Sequence, residues 1–527
     1  MTLNKFLTKI FCIFFAVSAF SFSQTNNDSK MPDSKDQRTL VAAVTKFSYD
    51  LNPHTASYNT EAQILSGLYE GLFSYDPVTM DPLYAICKSH KLSRNKKRWT
   101  FTLREDAKFS NGNSITAQSV KDSWMNLLSN NNAPFASLLD CIEGVEEFRT
   151  GNATAESVKI IVKDELTLNI YVKEPVNYLP RVLCNHAFTV KPVESDVFSG
   201  PFILESQTED KITLVKNPNY WDSKNVNLPQ IDFLLSDEYD ENCFLFNTGK
   251  IDWIDSGFYA DKIYNKNSTK VFAEFAVQFL FLKTNRFPWN KQEFRNALMT
   301  ATPWEELRKG CFIPATTFVY PISPYPKNIG LDETDQDEAL LMMKDARTKY
   351  NVSQDTQLEI IFALPSENET MKKQAELLAK AWEPLGVKLT VQTTSASRYN
   401  HNIKNMGADI FGYTWIGDFA DPMAFLELFR TGSSLNVSGY SSKEFDDLLV
   451  MSSQADTTED CYKILAKAEQ MLLDDGVIMP IQHPISVHAI DLDCVGGWSV
   501  NALDIHPLKY LYFRKSEVKI PNLVKLN

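Results

Sequence analysis

The 527-residue chain has no local signature of catalysis. It holds no Gly-x-Ser-x-Gly elbow, no His-Glu-x-x-His pair and no Gly-rich phosphate loop. Gly249-Lys250 lacks the earlier glycine and the following Ser or Thr that a phosphate loop needs. The seven histidines are scattered, and only His483 and His488 are close. These absences exclude enzymes that declare themselves by a short motif. A hydrolase made of separated carboxylates needs no such motif and stays open. There is no Cys-x-x-Cys, so the cysteine pattern is not that of a zinc site. No long basic run occurs, and Arg94-Asn95-Lys96-Lys97-Arg98 is the only basic cluster. With 66 acidic against 53 basic side chains, a nucleic-acid partner is excluded. No stretch after Phe22 is long and apolar enough to cross a membrane.

What is present begins with an export signal over residues 1–23. Lys5 and Lys9 precede an uncharged run from Ile10 to Phe22, and Ala16-Val17-Ser18-Ala19 offers small residues for cleavage. Cys12 lies inside the run, which argues against a lipid attachment site. A polar leader, residues 24–38, follows. Seven cysteines remain after cleavage, so at least one stays unpaired. An exported chain permits disulfides, but most of these cysteines read as buried small apolar residues. Aromatics, at 12%, suffice for large cores and for lining a pocket.

Along the globular part, Leu40–Val44 reads as a strand. Thr60 is placed to cap a helix carrying Ile64, Leu65, Leu68 and Leu72 on one face. Trp99-Thr-Phe-Thr-Leu103 alternates as a half-buried strand should. Asn111-Gly112 marks a turn, and Thr116 caps the next helix. Val158–Val162 and Leu166–Val172 predict a hairpin, so residues 64–188 read as one α+β unit. Strands follow at Pro201–Leu204, Ile212–Val215, Ile231–Leu235 and Phe279–Leu282. Further on, helices are predicted at 291–300 and 335–350. Leu358–Ala363, a helix over 367–382 stopped by Gly386, and Val387–Val391 form a strand–helix–strand unit with parallel pairing. Helices at 442–450 and 459–473 and closing strands at Val477–Gln482 and Pro507–Arg514 complete the chain.

One stretch stands out as a candidate site. Asp409–Gly412 reads as a strand end, and Asp421-Pro422 opens a helix over Met423–Phe429, with Asp421 as its cap. Trp415 to Asp418 then lie in a tight loop between a strand end and a helix start, where α/β proteins commonly place ligands. Asp418 has no capping role. A carboxylate beside Trp415 and Phe419 suits an organic cation such as a peptide's α-ammonium group. The same residues also read as an exposed loop acid beside a core tryptophan.

Several blocks in register resemble the family 5 extracellular solute-binding proteins, which serve peptide and nickel ABC importers. The nearest resemblance is to their oligopeptide-binding members. The blocks are Leu51-Asn52-Pro53-His54, Tyr69-Glu70-Gly71-Leu72, and Trp99 to Gly112 followed by Thr116 to Val120. They continue with Gly200-Pro201-Phe202, Asn217 to Asp222, Gly249 to Asp252, Arg295 to Leu298, and Trp415 to Pro422 itself. Together they span nearly the whole mature chain.

The resemblance implies a periplasmic-binding-protein-like α/β fold with mixed α+β lobes: a two-lobed ligand clamp with a third, appended domain. It implies a discontinuous first lobe (39–63, 189–285 and 486–527), an appended domain (64–188) and a further lobe (286–485). It also implies an exported, periplasmic, monomeric binding protein rather than an enzyme. Such a protein would take short peptides as extended strands and deliver them to the permease subunits of an ABC importer, with no cofactor and no metal. Asp418 would hold the peptide amine. Thr414, Trp415 and Ile416 would offer backbone groups, flanked by Tyr413 and Phe419. Relatives often place an arginine just before this loop, whereas Gly412 and Tyr413 stand here and Lys404 and Arg398 are the nearest bases. Ser119 replaces an acidic residue, and Phe419 replaces a tyrosine. The alternatives are another solute of the same family (a murein peptide, a dipeptide or a nickel complex) and a secreted hydrolase on the same scaffold.

Overall fold

The computed structural model describes residues 38–514 except 57, 195, 396, 397, 400–402, 404, 418 and 434. The expected signal peptide, residues 24–37 of the leader, and both Lys404 and Asp418 lie outside the described residues. Among the described residues, no helix is long and apolar enough to cross a membrane.

The first strand, β1 (Leu40–Val44), is almost wholly buried, as an apolar run in a sheet interior should be. It pairs in parallel with Gln230–Leu235 on one side and Trp253–Ile254 on the other. Lys211–Lys216 and Phe202–Gln207 extend the sheet one way. Ile485–Ile490 and β2 (Thr269–Ala273) extend it the other way, to seven strands. Leu40, Phe202, Phe233, Trp253 and Leu508 lie in its core.

A four-stranded antiparallel sheet lies between β1 and the rest of that sheet in sequence. Its order is Cys87–Leu92, Arg98–Leu103, Thr167–Tyr171, Ile160–Asp164. Trp99, Phe101 and Leu103 are buried and the threonines between them half-buried, as the alternation requires. The helix Ala117–Leu128 lies over it. Thr116 Oγ1 accepts from Ser119 N at 3.2 Å, and Ser119 Oγ accepts from Thr116 N at 3.2 Å. Ser119 thus completes a reciprocal cap of the kind a longer acidic side chain commonly makes.

The third sheet holds β3 (Ala276–Leu282), β4 (Leu358–Pro365), β5 (Val387–Thr394), β6 (Ile410–Ile416) and β7 (Ile478–Gln482), in the order β5-β4-β6-β3-β7. The helix Glu369–Trp382 connects β4 to β5, which pair in parallel over eight residues as the strand–helix–strand pattern predicts. Gly386, at φ +71°, ends the segment between them.

All five strands of this sheet lie between Ala276 and Gln482, so the chain enters and leaves through two adjacent crossings. One is Glu274-Phe275, between β2 and β3. The other is His483-Pro484, between β7 and the strand β8 (Ile485–Ile490). Glu274 N donates to Pro484 O at 2.9 Å, and His483 Nδ1 lies 2.8 Å from Ala276 O. Two side-by-side crossings between two sheets are the geometry of a hinge. One continuous cluster of buried apolar side chains runs from the four-stranded sheet into the five-stranded one. Those two units therefore lie against each other.

Two expectations need correction, and one strand was missed. Thr60 is inside its helix, Asn59–Leu68, and does not cap it. The local capping is done from Glu61, whose carboxylate accepts from Tyr58 N at 3.0 Å and Asp50 N at 2.8 Å. Pro507–Arg514 is not one strand, because Leu508–Tyr510 makes a tight turn and only Tyr512–Phe513 pairs. β8 was not expected, since the buried polar side chains Ser486 and His488 break its apolar pattern. The seven cysteines among the described residues are all free, and Cys87, Cys184, Cys243 and Cys461 are buried.

Candidate ligand-binding site

β6 does not end before Trp415. It stays paired with β3 as far as Ala276–Ile416, so Trp415 and Ile416 stand on a strand, not in the tight loop that the local pattern suggested. The reason is nonlocal: β3 continues to the hinge and carries β6 with it. On its other edge β6 pairs with β4 only at Ile410 and Phe411. Tyr399 Oη then occupies both main-chain groups of Gly412, at 2.9 Å each. Gly417 N donates to Phe275 O at 2.8 Å. Antiparallel alternation therefore turns Trp415 and Gly417 toward β3, and the main-chain groups of Thr414 and Ile416 toward the opposite edge. Among the described residues no strand pairs with that edge beyond Phe411.

The side chains around this edge differ in role. Thr414 is exposed, and Ile416 is 48% exposed. Tyr413 and Trp415 are half-buried with rings stacked at 6.2 Å and 24°. Trp415 Nε1 donates to Ala424 O at 2.8 Å, tying the strand to the following helix. Gly417 is needed for close approach, since a Cβ there would stand 2.3 Å from the Phe275 ring. Phe419 is buried, stacked on Tyr178 at 5.4 Å and 15°. Asp421 Oδ1 accepts from Met423 N at 3.0 Å, but the cap position of the helix Met423–Leu426 falls on Pro422, one residue later than expected; the helix tightens into a final turn over Glu427–Phe429. Tyr178, Arg181, Phe275 and Tyr399 were not expected at the site: none has a local motif, and Tyr178, Arg181 and Phe275 come from distant segments.

A cavity of about 480 Å³ adjoins this strand, between Ser137–Val182 and Trp415–Ser453. Its apolar wall includes Leu138, Tyr178, Trp415, Phe419 and Leu435. Two ion pairs also line it: Arg149–Asp140, two-pronged at 3.1 and 2.8 Å, and Arg430–Glu427 at 2.8 and 2.9 Å. Burial pushes the Asp140 and Glu427 carboxyls above their ordinary range, and their arginines oppose that shift. Burial likewise pushes Asp421 up to about 6, against the Met423 amide and the Arg181 guanidinium. A smaller cavity, about 180 Å³, lies under Tyr413 and Trp415 against Phe279 and Phe429.

Behind the hinge, His488, Asp504 and His506 converge closely enough to hold a metal ion. Their atoms are already engaged with one another. Asp504 Oδ1 lies 2.8 Å from His488 Nε2 and 3.1 Å from His506 Nε2, and Ser486 Oγ joins Asp504 to Glu274. Although burial opposes it, the pairing with Asp504 and Asp255 holds His488 above its ordinary pKa. Asp504 is held well below its own against burial, while burial pushes Asp255 up to about 6. His488 Nδ1 accepts from Trp253 Nε1 at 3.3 Å and lies 3.5 Å from Asp255 Oδ1. These groups hold the 501–506 segment against β8.

Two sheets joined by a double crossing, with an unpaired strand edge and a cavity beside it, define a two-lobed binding protein of the periplasmic type. The chain belongs to the bacterial extracellular solute-binding proteins, family 5, whose middle-region model matches residues 81–436. It is similar to the dipeptide-binding protein DppE of Bacillus subtilis, 26% identical over 490 residues that cover 87% of this chain and 88% of that one. The oligopeptide-binding protein OppA of the same organism is 25% identical over 509 residues, 90% of this chain and 92% of that one. Among solved structures, the Escherichia coli murein tripeptide-binding protein MppA superposes with a TM-score of 0.72 at 22% identity, over 91% of this chain and 99% of that one. That likeness establishes the fold.

Proposed function

We propose that this protein is an exported, monomeric binding protein that captures short peptides in extended form and passes them to the membrane subunits of an ABC importer. The observation that carries this is the open edge of β6 at Thr414 and Ile416. An extended peptide adds to such an edge through main-chain hydrogen bonds, which gives affinity independent of sequence. The cavity beside Trp415 and Phe419 then takes a ligand side chain. Relatives whose names specify dipeptide, oligopeptide and murein tripeptide binding support a peptide ligand. The clamp follows the lobes read from the sequence, with 39–63, 189–285 and 486–527 facing 286–485, and 64–188 appended. No turnover, cofactor or metal is part of this reading. The periplasm is its place of work, after removal of residues 1–23.

Asp418, directly after Gly417 in sequence, is the proposed partner of the peptide's α-ammonium group, and Lys404 is a further proposed ligand contact. Removing one member of a desolvated charge pair leaves the other unpaired, which costs about 2–5 kcal/mol. That is a loss of roughly 30-fold to several thousand-fold in affinity. Calorimetry with a free tripeptide and its N-acetyl form, on wild type and Asp418→Ala, tests it. Wild type rejects the acetylated peptide, and the variant barely distinguishes the two. If acetylation costs the variant as much as wild type, the amine sits elsewhere.

A further inference from the structure

The unit built on the four-stranded sheet reaches the proposed site directly. Arg181, one turn after Tyr178 in the helix Leu179–Val182, donates from Nη1 to Ala420 O at 3.2 Å. Its Nη2 pairs with Asp81 at 2.9 Å, and its Nε stands 4.0 Å from Asp421 Oδ2. Tyr178 stacks flat on Phe419. The segment Phe419–Pro422 is thus held from two sides. Its own lobe supplies the Met423 amide, and the appended unit supplies a guanidinium and a ring.

The hinge shows which of these holds is conditional. The five-stranded sheet joins the remainder only through the crossings at 274–275 and 483–484, so every contact between it and the Tyr178–Arg181 segment is non-covalent, and a rotation about those crossings would make or break it. A second bridge of the same kind lies away from the site: Lys96 Nζ donates to Gln454 O at 3.0 Å and pairs with Asp456 at 3.2 Å.

We propose that Arg181, with Tyr178 beside it, is a positioning residue for ligand binding. On closure it fixes the Phe419–Pro422 main chain, so the loop that follows Gly417 reaches its binding geometry only when the appended unit arrives. This rests on the reading that Asp418 holds the ligand amine. Arg181 acts through Ala420 and Asp421 and touches no ligand. Its guanidinium is suited to the task because it serves three acceptors at once: the Asp81 carboxylate, the Ala420 carbonyl and, more distantly, Asp421. Lys96 fastens the same two units without touching the loop, and so serves as the control for closure alone.

The test titrates wild type, Arg181→Ala, Arg181→Lys and Lys96→Ala with trialanine and N-acetyl-trialanine. It also follows amide hydrogen exchange over Phe419–Phe425 with and without trialanine. Loss of a charged hydrogen-bond donor predicts a fall of about tenfold or more in the preference of Arg181→Ala for the free amine. Arg181→Lys restores part of it, and Lys96→Ala weakens both peptides alike. Trialanine slows exchange over Phe419–Phe425 in wild type but not in Arg181→Ala. If Arg181→Ala keeps the wild-type preference, or its exchange slows as in wild type, Arg181 does not position the loop. If wild type itself fails to distinguish the peptides, the amine assignment fails, and the exchange measurement still decides the role of Arg181.

Discussion

Replacing Asp421 by asparagine tests the electrostatics of the loop. Asp421 is 5% exposed. Its carboxylate has one short partner, the Met423 amide at 3.0 Å, while Arg181 Nε stands 4.0 Å away and is already paired with Asp81. Burial therefore wins over attraction, and the pKa rises from 3.8 to about 6. Because the folded form holds the proton more tightly than the unfolded chain, stability falls as pH rises from about 4 through 6, then levels. A shift of that size corresponds to roughly 3 kcal/mol at neutral pH. Asp421→Asn keeps an oxygen for the Met423 amide and removes the charge. The variant should unfold at higher urea than wild type at pH 7, by up to about 3 kcal/mol, and the gain should vanish near pH 4. A variant that is less stable at pH 7, or a difference that does not change with pH, would show that Arg181 outweighs burial and that the reasoning is wrong.

Two other predictions follow from the same structure. Lys509 and Glu70 form a buried pair at 2.9 Å, and Glu70 also accepts from Tyr220 Oη and Trp221 Nε1. Lys509→Met leaves that carboxylate without its cation and should cost about 3–5 kcal/mol in urea unfolding, most of it recovered in the double variant with Glu70→Gln; an unchanged midpoint would refute the pairing's role. Because His488, Asp504 and His506 already satisfy one another, treatment with a chelator should leave the calorimetric affinity for trialanine unchanged, and a loss reversed by nickel or zinc would contradict that reading.

Local chemistry made much of the fold legible. The alternation at Trp99–Leu103, the Thr116 cap, the Gly386 stop and the parallel strand–helix–strand unit are each set by residues within a few positions of one another. What escaped depends on remote partners. β6 extends past Trp415 because β3, more than a hundred residues earlier, pairs with it to the end. Arg181 meets Ala420 across 239 positions. β8 hides because its buried Ser486 and His488 are satisfied by Glu274 and Asp504 rather than by an apolar neighbourhood. A helix start near Asp421 was legible, and its carboxylate bonds the Met423 amide, although the cap position itself is Pro422. The burial of Asp421 against Arg181 was not legible, since the covering unit comes from another part of the chain.

The most direct test of peptide capture at the β6 edge is residue-level amide exchange at Thr414 to Gly417, with and without saturating trialanine. Trp415 and Gly417 face β3 and should be protected in both states, while Thr414 and Ile416 should exchange freely alone and slow markedly with peptide. Binding that saturates by calorimetry while Thr414 and Ile416 exchange as fast as before would contradict strand addition at this edge.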